Sequence, residues 1–206
     1  YLGTLDLNFS TPNLKGKPKG KKLENDTEVI TETNNKFVVD PAPISLPNDI
    51  IRARDFISLR ENKIMNTYGA YEDIDFTVPS GVTLRIGFGS DTITTPGNSV
   101  KGVKKGDTIT SDQAYADLER RLKTEFKPKV VATCEANGVN YDSLPAPVKT
   151  VFIDCAYNYG SLWNSIVISY RDGNVNGLKA ELQRRANSGP GQVPKRREAE
   201  IRHLGG

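Results

Sequence analysis

The residues that decide the fold run from Glu61 to Thr94 and end in Arg85-Ile86-Gly87-Phe88-Gly89-Ser90-Asp91-Thr92-Ile93-Thr94. This end is a short apolar and β-branched run that two glycines interrupt. The pattern predicts strand segments joined by sharp turns, because glycine adopts backbone angles that other residues avoid. Glu61 falls on a predicted helix, and further carboxylates lie between it and the glycines: Glu72, Asp73 and Asp75. We therefore expect the polar side chains of this stretch to face a cleft.

The composition limits the size of the fold and the classes of function. The chain has 206 residues, of which 36% are hydrophobic and 26% are charged. These values suit one compact domain with a sizeable core and an added extension. No apolar run approaches the roughly 20 residues that a membrane-spanning helix needs, so we expect no membrane span.

Metal and cofactor chemistry lacks its usual residues in this sequence. His203 is the one histidine, and Cys134 and Cys155 stand apart without a metal-binding spacing. We expect no metal and no cofactor, and we expect both cysteines to be free thiols in or near the core. His203 is expected at an exposed helix end, and serine hydrolysis of the triad type lacks its nucleophile motif.

Residues 1–47 differ in composition from the rest of the chain. They are rich in Asn, Thr, Lys, Pro and Gly, and show no regular period beyond Lys36-Phe37-Val38-Val39. Five of the eight residues from Lys15 to Lys22 are lysine, which suits a solvated linker or contact with an anionic partner. Six acidic residues up to Asp40 nevertheless balance six basic ones, so the segment is no general binder of polyanions. We predict an extended arm that a partner holds in place.

Residues 48–206 carry the patterns of a folded domain. A helix-start signal at Pro47-Asn48-Asp49 precedes an apolar stripe, and Glu61 lies late in this helix. Two short β runs, Phe76-Thr77-Val78 and Val82 to Ile86, flank a Pro-Ser-Gly turn, which predicts a hairpin or a small sheet. A loop rich in glycine, lysine and asparagine is expected after Thr94.

The rest of the chain is predicted to be helical. Thr110-Ser111-Asp112-Gln113 is a capping box that opens a helix, and Pro128 kinks or ends it. The most apolar helix runs from Ser143-Leu144-Pro145 to Asn158-Tyr159-Gly160 and is the best candidate for the core. Three shorter helices follow at Leu162–Tyr170, Val175–Ala186 and Lys195–Leu204. The sequence thus predicts an α+β fold, with a small antiparallel sheet in front of a helical body.

Carboxylates are the remaining candidates for chemistry. Hydrolysis of a glycosidic bond needs a carboxylic acid that protonates the leaving oxygen and a carboxylate that activates water or attacks the sugar. Glu61 suits the first role, because apolar neighbours such as Ile57 disfavour its charged form. Asp73 is our first choice for the second role, with Asp75 and Asp91 behind it.

Five short motifs follow one another along residues 50–204. In this sequence they are Glu61, Tyr71-Glu72-Asp73, Ile86-Gly87-Phe88-Gly89, Tyr157-Asn158-Tyr159-Gly160, and Gly191 leading to Arg196-Arg197-Glu198-Ala199-Glu200. Their order resembles that of the phage-type lysozymes, glycoside hydrolase family 24, and their endolysin relatives. Ser90-Asp91-Thr92 is similar to the Gly-Ser-Asp-Thr variant of that family.

The resemblance implies a lysozyme-like fold and a muramidase that cuts peptidoglycan between N-acetylmuramic acid and N-acetylglucosamine. Glu61 takes the place of the general acid, and Asp73 that of the carboxylate that positions the water. Asp91 and Thr92 are further catalytic candidates. The residues expected to bind substrate are Tyr71, Arg85, Phe88, Ser90, Asn158 and Arg197.

The sequence departs from the family pattern at two points. Glu61 and Asp73 lie twelve positions apart, three more than the family interval. Arg85 stands where the family has a catalytic threonine. Either the loop is longer and Asp73 is used, or part of its work has passed to Asp75, Asp91 or Thr92.

Most of these residues also have an ordinary structural use. The rings of Tyr71, Phe88 and Trp163 can pack in the core instead of stacking on sugars. Asn158 can cap the end of its helix. The other structural alternatives are ion pairs of Arg196 and Arg197 with Glu198 or Glu200, and hydrogen bonds of Asp91 and Thr92 within their own turn.

Three functions follow from these observations. The first is an active muramidase in a phage tail or internal core, whose residues 1–47 bind a phage structural protein; release from the host cytoplasm at lysis is less favoured. The second is a lysozyme-like tail subunit that has lost catalysis and binds the cell wall or serves structurally. The third, and least favoured, is a nucleic-acid-binding module that uses Lys15 to Lys22 and the basic helices after Arg171.

Overall fold

The computed structural model describes residues 47–65, 69–74, 79–95, 97, 99–188 and 193–205, and only the backbone at 62–65, 74 and 193. Nearly all of the predicted arm lies outside the described residues, and so do Asp75, Gly191 and the predicted strand Phe76-Thr77-Val78. Within these ranges, no helix combines the length and the apolar character that crossing a bilayer requires.

Two antiparallel hairpins follow the first helix. Helix α1 spans Asn48–Met65, so the predicted helix start and the late position of Glu61 are confirmed. Strand β1 (Tyr71–Ile74) pairs with β2 (Val82–Arg85). Strand β3 (Thr92–Thr94) pairs with β4 (Val100–Gly102).

The strands differ from the prediction in two respects. The partner of β2 lies at Tyr71–Ile74, earlier than the predicted Phe76-Thr77-Val78. Strand β4 lies in the segment predicted to be a loop. β1 carries two charged residues and β4 is exposed throughout, so neither shows the apolar alternation by which strands are recognised.

A sharp glycine turn connects β2 to β3, as predicted. Ile86 and Ser90 exchange backbone hydrogen bonds of 2.8 and 3.0 Å. Gly87 and Gly89 have φ angles of 57° and 81°, which glycine adopts without strain. A β-carbon on Gly87 would also lie 3.1 Å from the side chain of Ala114. The turn therefore packs tightly against the helical body only with glycine at this position.

The helical body follows the hairpins. Its elements are α2 (Ser111–Arg121), a π-helical turn (Leu122–Phe126), α3 (Lys127–Ala136), a 3-10 turn (Tyr141–Ser143), α4 (Ala146–Tyr159), α5 (Asn164–Ser188) and α6 (Val193–His203). Helix α4 forms the centre of the core, and its predicted buried face is confirmed: Val148, Val151, Phe152 and Cys155 are inaccessible to solvent. Helix α1 packs along α4, and α5 packs against α6.

Local signals in the helical body are confirmed. Thr110 and Gln113 form the predicted capping box of α2. Pro128 lies in the first turn of α3, directly after the π-helical turn, so the regular α-helical pattern of α2 is interrupted just before the proline. Asn174, with φ 51°, interrupts α5 at the predicted break. Cys134 and Cys155 are buried free thiols.

The described residues are thus mostly helical, with two small antiparallel hairpins. This arrangement is compatible with the predicted α+β class. It places the end of α1, the β1–β2 hairpin, the glycine turn and α6 around one region, which contains most of the candidate site residues.

Candidate active site

Glu61 is held at the end of α1 by an arginine from the last helix. Its Oε1 accepts a hydrogen bond of 2.6 Å from Arg196 Nη1. The same guanidinium donates through Nε and Nη2 to the two carboxylate oxygens of Asp154 on α4, at 3.0 and 2.5 Å. Burial lowers the pKa of Arg196, but the two carboxylates outweigh burial and the pKa is raised. Glu61 retains 17% exposure of its side chain, so its direction is fixed while solvent still reaches it.

The second oxygen of Glu61 faces the glycine turn. A β-carbon on Gly89 would lie 3.9 Å from Glu61 Oε2 and 3.9 Å from the Tyr71 hydroxyl. Among the described residues, the Tyr71 hydroxyl has no hydrogen-bond partner. Burial, followed by the charges of Asp73 and Glu61, raises the pKa of Tyr71 to about 12. Glycine at position 89 therefore leaves room beside a carboxyl oxygen and an unpartnered hydroxyl.

Asp73 lies on the same face of β1 as Tyr71. Alternate residues of a strand point to the same side, and the register sets Tyr71 opposite Arg85 and Asp73 opposite Thr83. The Asp73 side chain is 55% exposed, and its Oδ2 lies 3.9 Å from Arg85 Nε. The carboxyl is therefore open to water. The charges of Asp73 on β1 and Glu61 on α1 both raise the pKa of the Tyr71 hydroxyl.

Asp91 lies on the other side of Arg85. Its carboxyl oxygens are 4.0 Å from Arg85 Nη1 and 3.6 Å from Arg121 Nη2, and the side chain is 54% exposed. Arg85 thus stands between the two candidate second carboxylates, at the position where the resemblance predicts a threonine. Asp73 shares its strand face with Tyr71, whose hydroxyl borders the space at Gly89 together with Glu61 Oε2. This arrangement favours Asp73 over Asp91 as the partner of Glu61.

Ser90 and Thr92 bind the helical body through a buried carboxylate. Ser90 Oγ donates to the buried carboxylate of Asp117 at 2.6 Å, and Thr92 Oγ1 donates to it at 3.2 Å. Thr94 on the same strand face adds a third hydroxyl at 2.7 Å, and Arg120 donates to Thr92 at 2.9 Å. These bonds tie β3 to α2. These contacts favour the structural alternative, while the catalytic role of Thr92 and the binding role of Ser90 stay predictions.

Two expected substrate-binding residues are buried. Phe88 is 2% exposed, and its ring packs edge-on against Tyr115 with centroids 4.8 Å apart. Arg197 is inaccessible and donates to Glu200 at 2.7 Å and to Cys155 Sγ at 3.0 Å. Burial of both side chains favours the structural alternatives over substrate binding: core packing for Phe88, and the contact of Arg197 with Glu200.

Asn158 lies exposed near the end of α4. Its side-chain oxygen accepts a hydrogen bond of 3.4 Å from Arg197 Nη2. Nearby on the same helix, Tyr159 stacks on Trp163 with ring centroids 4.5 Å apart, and Trp163 is 44% exposed. Asn158 therefore faces both solvent and the buried arginine beneath it.

The link from Glu61 into the core was not predicted. The expected partners of Arg196 were the nearby Glu198 or Glu200, whereas the partners observed are Glu61 and Asp154. The sequence did contain a signal, because Asp154 interrupts the apolar run of the helix predicted to form the core. The structure shows that Asp154 is fully buried. A charged residue is rarely buried without a partner. Which partner it has depends on helix packing.

The arrangement suits acid and base chemistry by side chains. Glu61 offers one free oxygen beside the turn, and Asp73 offers an exposed carboxyl on the same side of the hairpin as Tyr71. Across the part of the chain that the structure describes, no group of three histidine, cysteine, aspartate or glutamate side chains is placed to hold a metal ion.

No protein-family model matches the chain, and no curated protein matches it. The interpretation of the site therefore depends on its residues and their geometry.

Proposed function

We propose that the chain is a muramidase with a lysozyme-like fold, which hydrolyses the bond between N-acetylmuramic acid and N-acetylglucosamine in peptidoglycan. One observation carries the proposal: Glu61 Oε2 and the Tyr71 hydroxyl both border the space at Gly89, each 3.9 Å from the position of a β-carbon there, and Asp73 shares its strand face with Tyr71. Two carboxyls of different environment around one open space are what glycoside hydrolysis requires.

Glu61 is the general acid in this proposal. Arg196 occupies its Oε1, which leaves Oε2 to carry the proton toward the glycosidic oxygen. Cleavage then transfers that proton to the leaving sugar. Gly89 leaves space beside Oε2, so a sugar can approach this oxygen without meeting a side chain of the turn.

Asp73 is the carboxylate that activates the attacking water. Its side chain is largely exposed, so water can reach it, and its Oδ2 lies 3.9 Å from Arg85 Nε. Water attacks the anomeric carbon while Asp73 accepts its proton. Arg85 and Asp91 lie beside Asp73 and are placed to contact the polar groups of the glycan.

Residues 1–47 attach the enzyme to a phage structural protein in the tail or internal core, where it acts on the bacterial cell wall. The support is compositional: the arm is neutral overall, poor in large apolar residues and lacks a pattern for folding alone. Removal of residues 1–46 is expected to abolish incorporation into particles and to leave cell-wall clearing intact.

A catalytically inactive lysozyme-like tail subunit is the second candidate. Two observations favour it: an ion pair holds Glu61 to Arg196, whereas a general acid must carry a proton, and Arg85 replaces the expected threonine. In that case the domain would bind cell walls or contribute to the particle without cutting glycan.

Clearing of purified cell walls separates the two candidates. The unaltered chain is expected to lower turbidity, and Glu61→Gln to do so at least about a hundredfold more slowly. Glu72→Gln is the matched control, since Glu72 is exposed on the opposite face of β1 and should leave the rate unchanged. Sedimentation of the unaltered chain with cell walls that it fails to clear would establish the inactive subunit instead.

A further inference from the structure

Asp154 determines the direction in which Arg196 points. Both carboxylate oxygens of Asp154 accept hydrogen bonds from the guanidinium, through Nε and Nη2. A guanidinium is planar, so a two-point contact fixes its plane. The third donor, Nη1, then points in one direction only, toward Glu61 Oε1 at 2.6 Å.

Asp154 is far from solvent and depends on its partners. It is fully buried in α4, between apolar residues of the core. A buried carboxylate stays charged only where hydrogen bonds and an opposite charge replace water. Arg196 contacts it, and Glu61 shares that guanidinium. The other titratable or charged groups that interact with its charge are Arg60, Cys155, Arg197, Glu200 and His203.

Glu200 is the unusual member of this set. It is also fully buried, and its Oε1 accepts from Arg197 at 2.7 Å. Its Oε2 is buried and has no hydrogen-bond partner among the described residues, and the Asp154 carboxyl lies near enough to act on the pKa of Glu200. Two neighbouring carboxylates cannot bond to each other without a proton between them. A proton on Glu200 would let the two buried carboxyls lie together.

The direction of both pKa shifts agrees with this geometry. Burial, followed by the charge of Asp154, raises the pKa of Glu200 well above its usual range. Burial acts against the charge of Asp154 too, but Arg196 and the hydrogen bond from Glu200 outweigh it, and the pKa of Asp154 is lowered. One carboxyl of the pair is neutral and the other is charged.

We propose that Asp154 is a positioning residue, which orients Glu61 through Arg196, and that Glu200 is its neutral, hydrogen-bond-donating partner. Asp154 never touches substrate in this arrangement. Asp154 and Glu61 share the guanidinium of Arg196. Arg196 therefore binds only the Oε1 atom of Glu61. The expected change in kcat rests on the proposed function, but the hydrogen bonds that connect Asp154, Arg196 and Glu61 can be tested without measuring activity.

Two substitutions distinguish the two buried acids. Asp154→Asn removes the charge that holds Arg196, so kcat is expected to fall about tenfold to a hundredfold with little change in KM. Glu200→Gln is the conservative change, since its amide can donate to Asp154 and accept from Arg197, and it should keep kcat within about threefold. Glu200→Leu has neither a donor nor an acceptor at this position, so its kcat should fall where that of Glu200→Gln is kept. Glu198→Gln, at an exposed position of α6, is the control.

The comparison of the two variants separates positioning from a general loss of stability. Glu200→Gln keeps a donor and an acceptor beside Asp154 and Arg197, so its kcat should stay close to that of the unaltered chain while the kcat of Asp154→Asn falls. An equal loss of kcat in both variants would overturn the proposal.

Nitrogen NMR of Arg196 tests the same link without substrate. The Nε–H of Arg196 should be protected from exchange in the unaltered chain and in Glu61→Gln and Glu200→Gln, and should lose protection in Asp154→Asn. Persistent protection in Asp154→Asn refutes the positioning role. Failure of the unaltered chain to clear cell walls refutes only the proposed function. Arg196→Lys offers a second route, because lysine cannot hold both carboxylates in one plane and should reproduce the loss of kcat; full activity of this variant would also refute the role.

Discussion

Arg196 on the last helix donates a hydrogen bond of 2.6 Å to Glu61 at the end of the first, across 135 residues of sequence. The same guanidinium neutralises the buried carboxylate of Asp154. This double contact joins α1, α4 and α6, and it makes the candidate acid part of the helical core.

Arg196→Gln should therefore destabilise the fold strongly. It leaves the charge of Asp154 buried without its main partner, and breaking a buried pair costs about 3–5 kcal/mol. Urea unfolding followed by circular dichroism measures the change. Arg202→Gln, at an exposed position of the same helix, should alter the free energy of unfolding by less than about 0.5 kcal/mol; equal losses in both variants would contradict the structure.

Replacing Tyr71 and Tyr157 by phenylalanine should have effects of opposite sign on stability. The Tyr71 hydroxyl has no partner among the described residues, so its removal should stabilise the fold by about 1 kcal/mol. The Tyr157 hydroxyl donates to the backbone oxygen of Phe88, so its loss should destabilise by about 1–2 kcal/mol. Thermal melts of the two variants provide the comparison.

The Tyr71→Phe variant should also clear cell walls more slowly. Its hydroxyl lies beside Glu61 Oε2, where the sugar is proposed to bind, and functional groups are often kept at a cost in stability. A faster or unchanged rate in a more stable protein would remove Tyr71 from the site.

Asp73→Asn and Asp91→Asn identify the second carboxylate. Both side chains are exposed to a similar degree and both contact Arg85, so the two substitutions perturb stability comparably. Asp73 shares its strand face with Tyr71, whose hydroxyl borders the space at Gly89 together with Glu61 Oε2. We expect a loss of about a hundredfold in clearing rate for Asp73→Asn and less than about fivefold for Asp91→Asn. The reverse order would transfer the role to Asp91.

Asp117 should be a major stabilising residue of the β3–α2 contact. Three hydroxyls, on Ser90, Thr92 and Thr94, donate to its buried carboxylate. Asp117→Ala is expected to lower the free energy of unfolding by about 2–4 kcal/mol, because these donors lose their acceptor. Asp112→Asn, exposed in the first turn of the same helix, should cost less than about 1 kcal/mol. Denaturant titrations of both variants measure the difference.

Glu200 should make the stability of the protein depend on pH. Its folded pKa is raised above the ordinary value of 4.5, so its contribution is complete below about pH 4.5 and decreases as pH rises toward the folded pKa. Asp154 has the opposite sign, since its lowered pKa gives stability that is lost as pH falls below 3.8. Glu200→Gln should therefore gain at least about 1 kcal/mol relative to the unaltered chain between about pH 4 and about pH 7.5. If the free energies of unfolding of Glu200→Gln and the unaltered chain change with pH in the same way across this range, a buried, protonated Glu200 is ruled out.

Much of the fold could be predicted because its signals are local. The capping box of Thr110 and Gln113, the proline in the first turn of α3 and the break at Asn174 each depend on a few neighbouring residues. Strand pairing was harder to predict. The partner of β2 and the short strand β4 are set by backbone hydrogen bonds between segments with little apolar pattern.

In the candidate site, too, some features follow from the local sequence and others from distant contacts. The sequence by itself determined that Glu61 ends a helix, that glycines form the turn after β2 and that carboxylates lie between them, because helix signals and positive backbone angles are properties of short segments. Only the tertiary structure decided that Ser90 and Thr92 bind Asp117, that Phe88 and Arg197 are buried, and that Arg196 connects Glu61 to Asp154. Those contacts arise from the packing of distant helices and strands, where burial forces each polar group to find a partner that sequence order does not reveal.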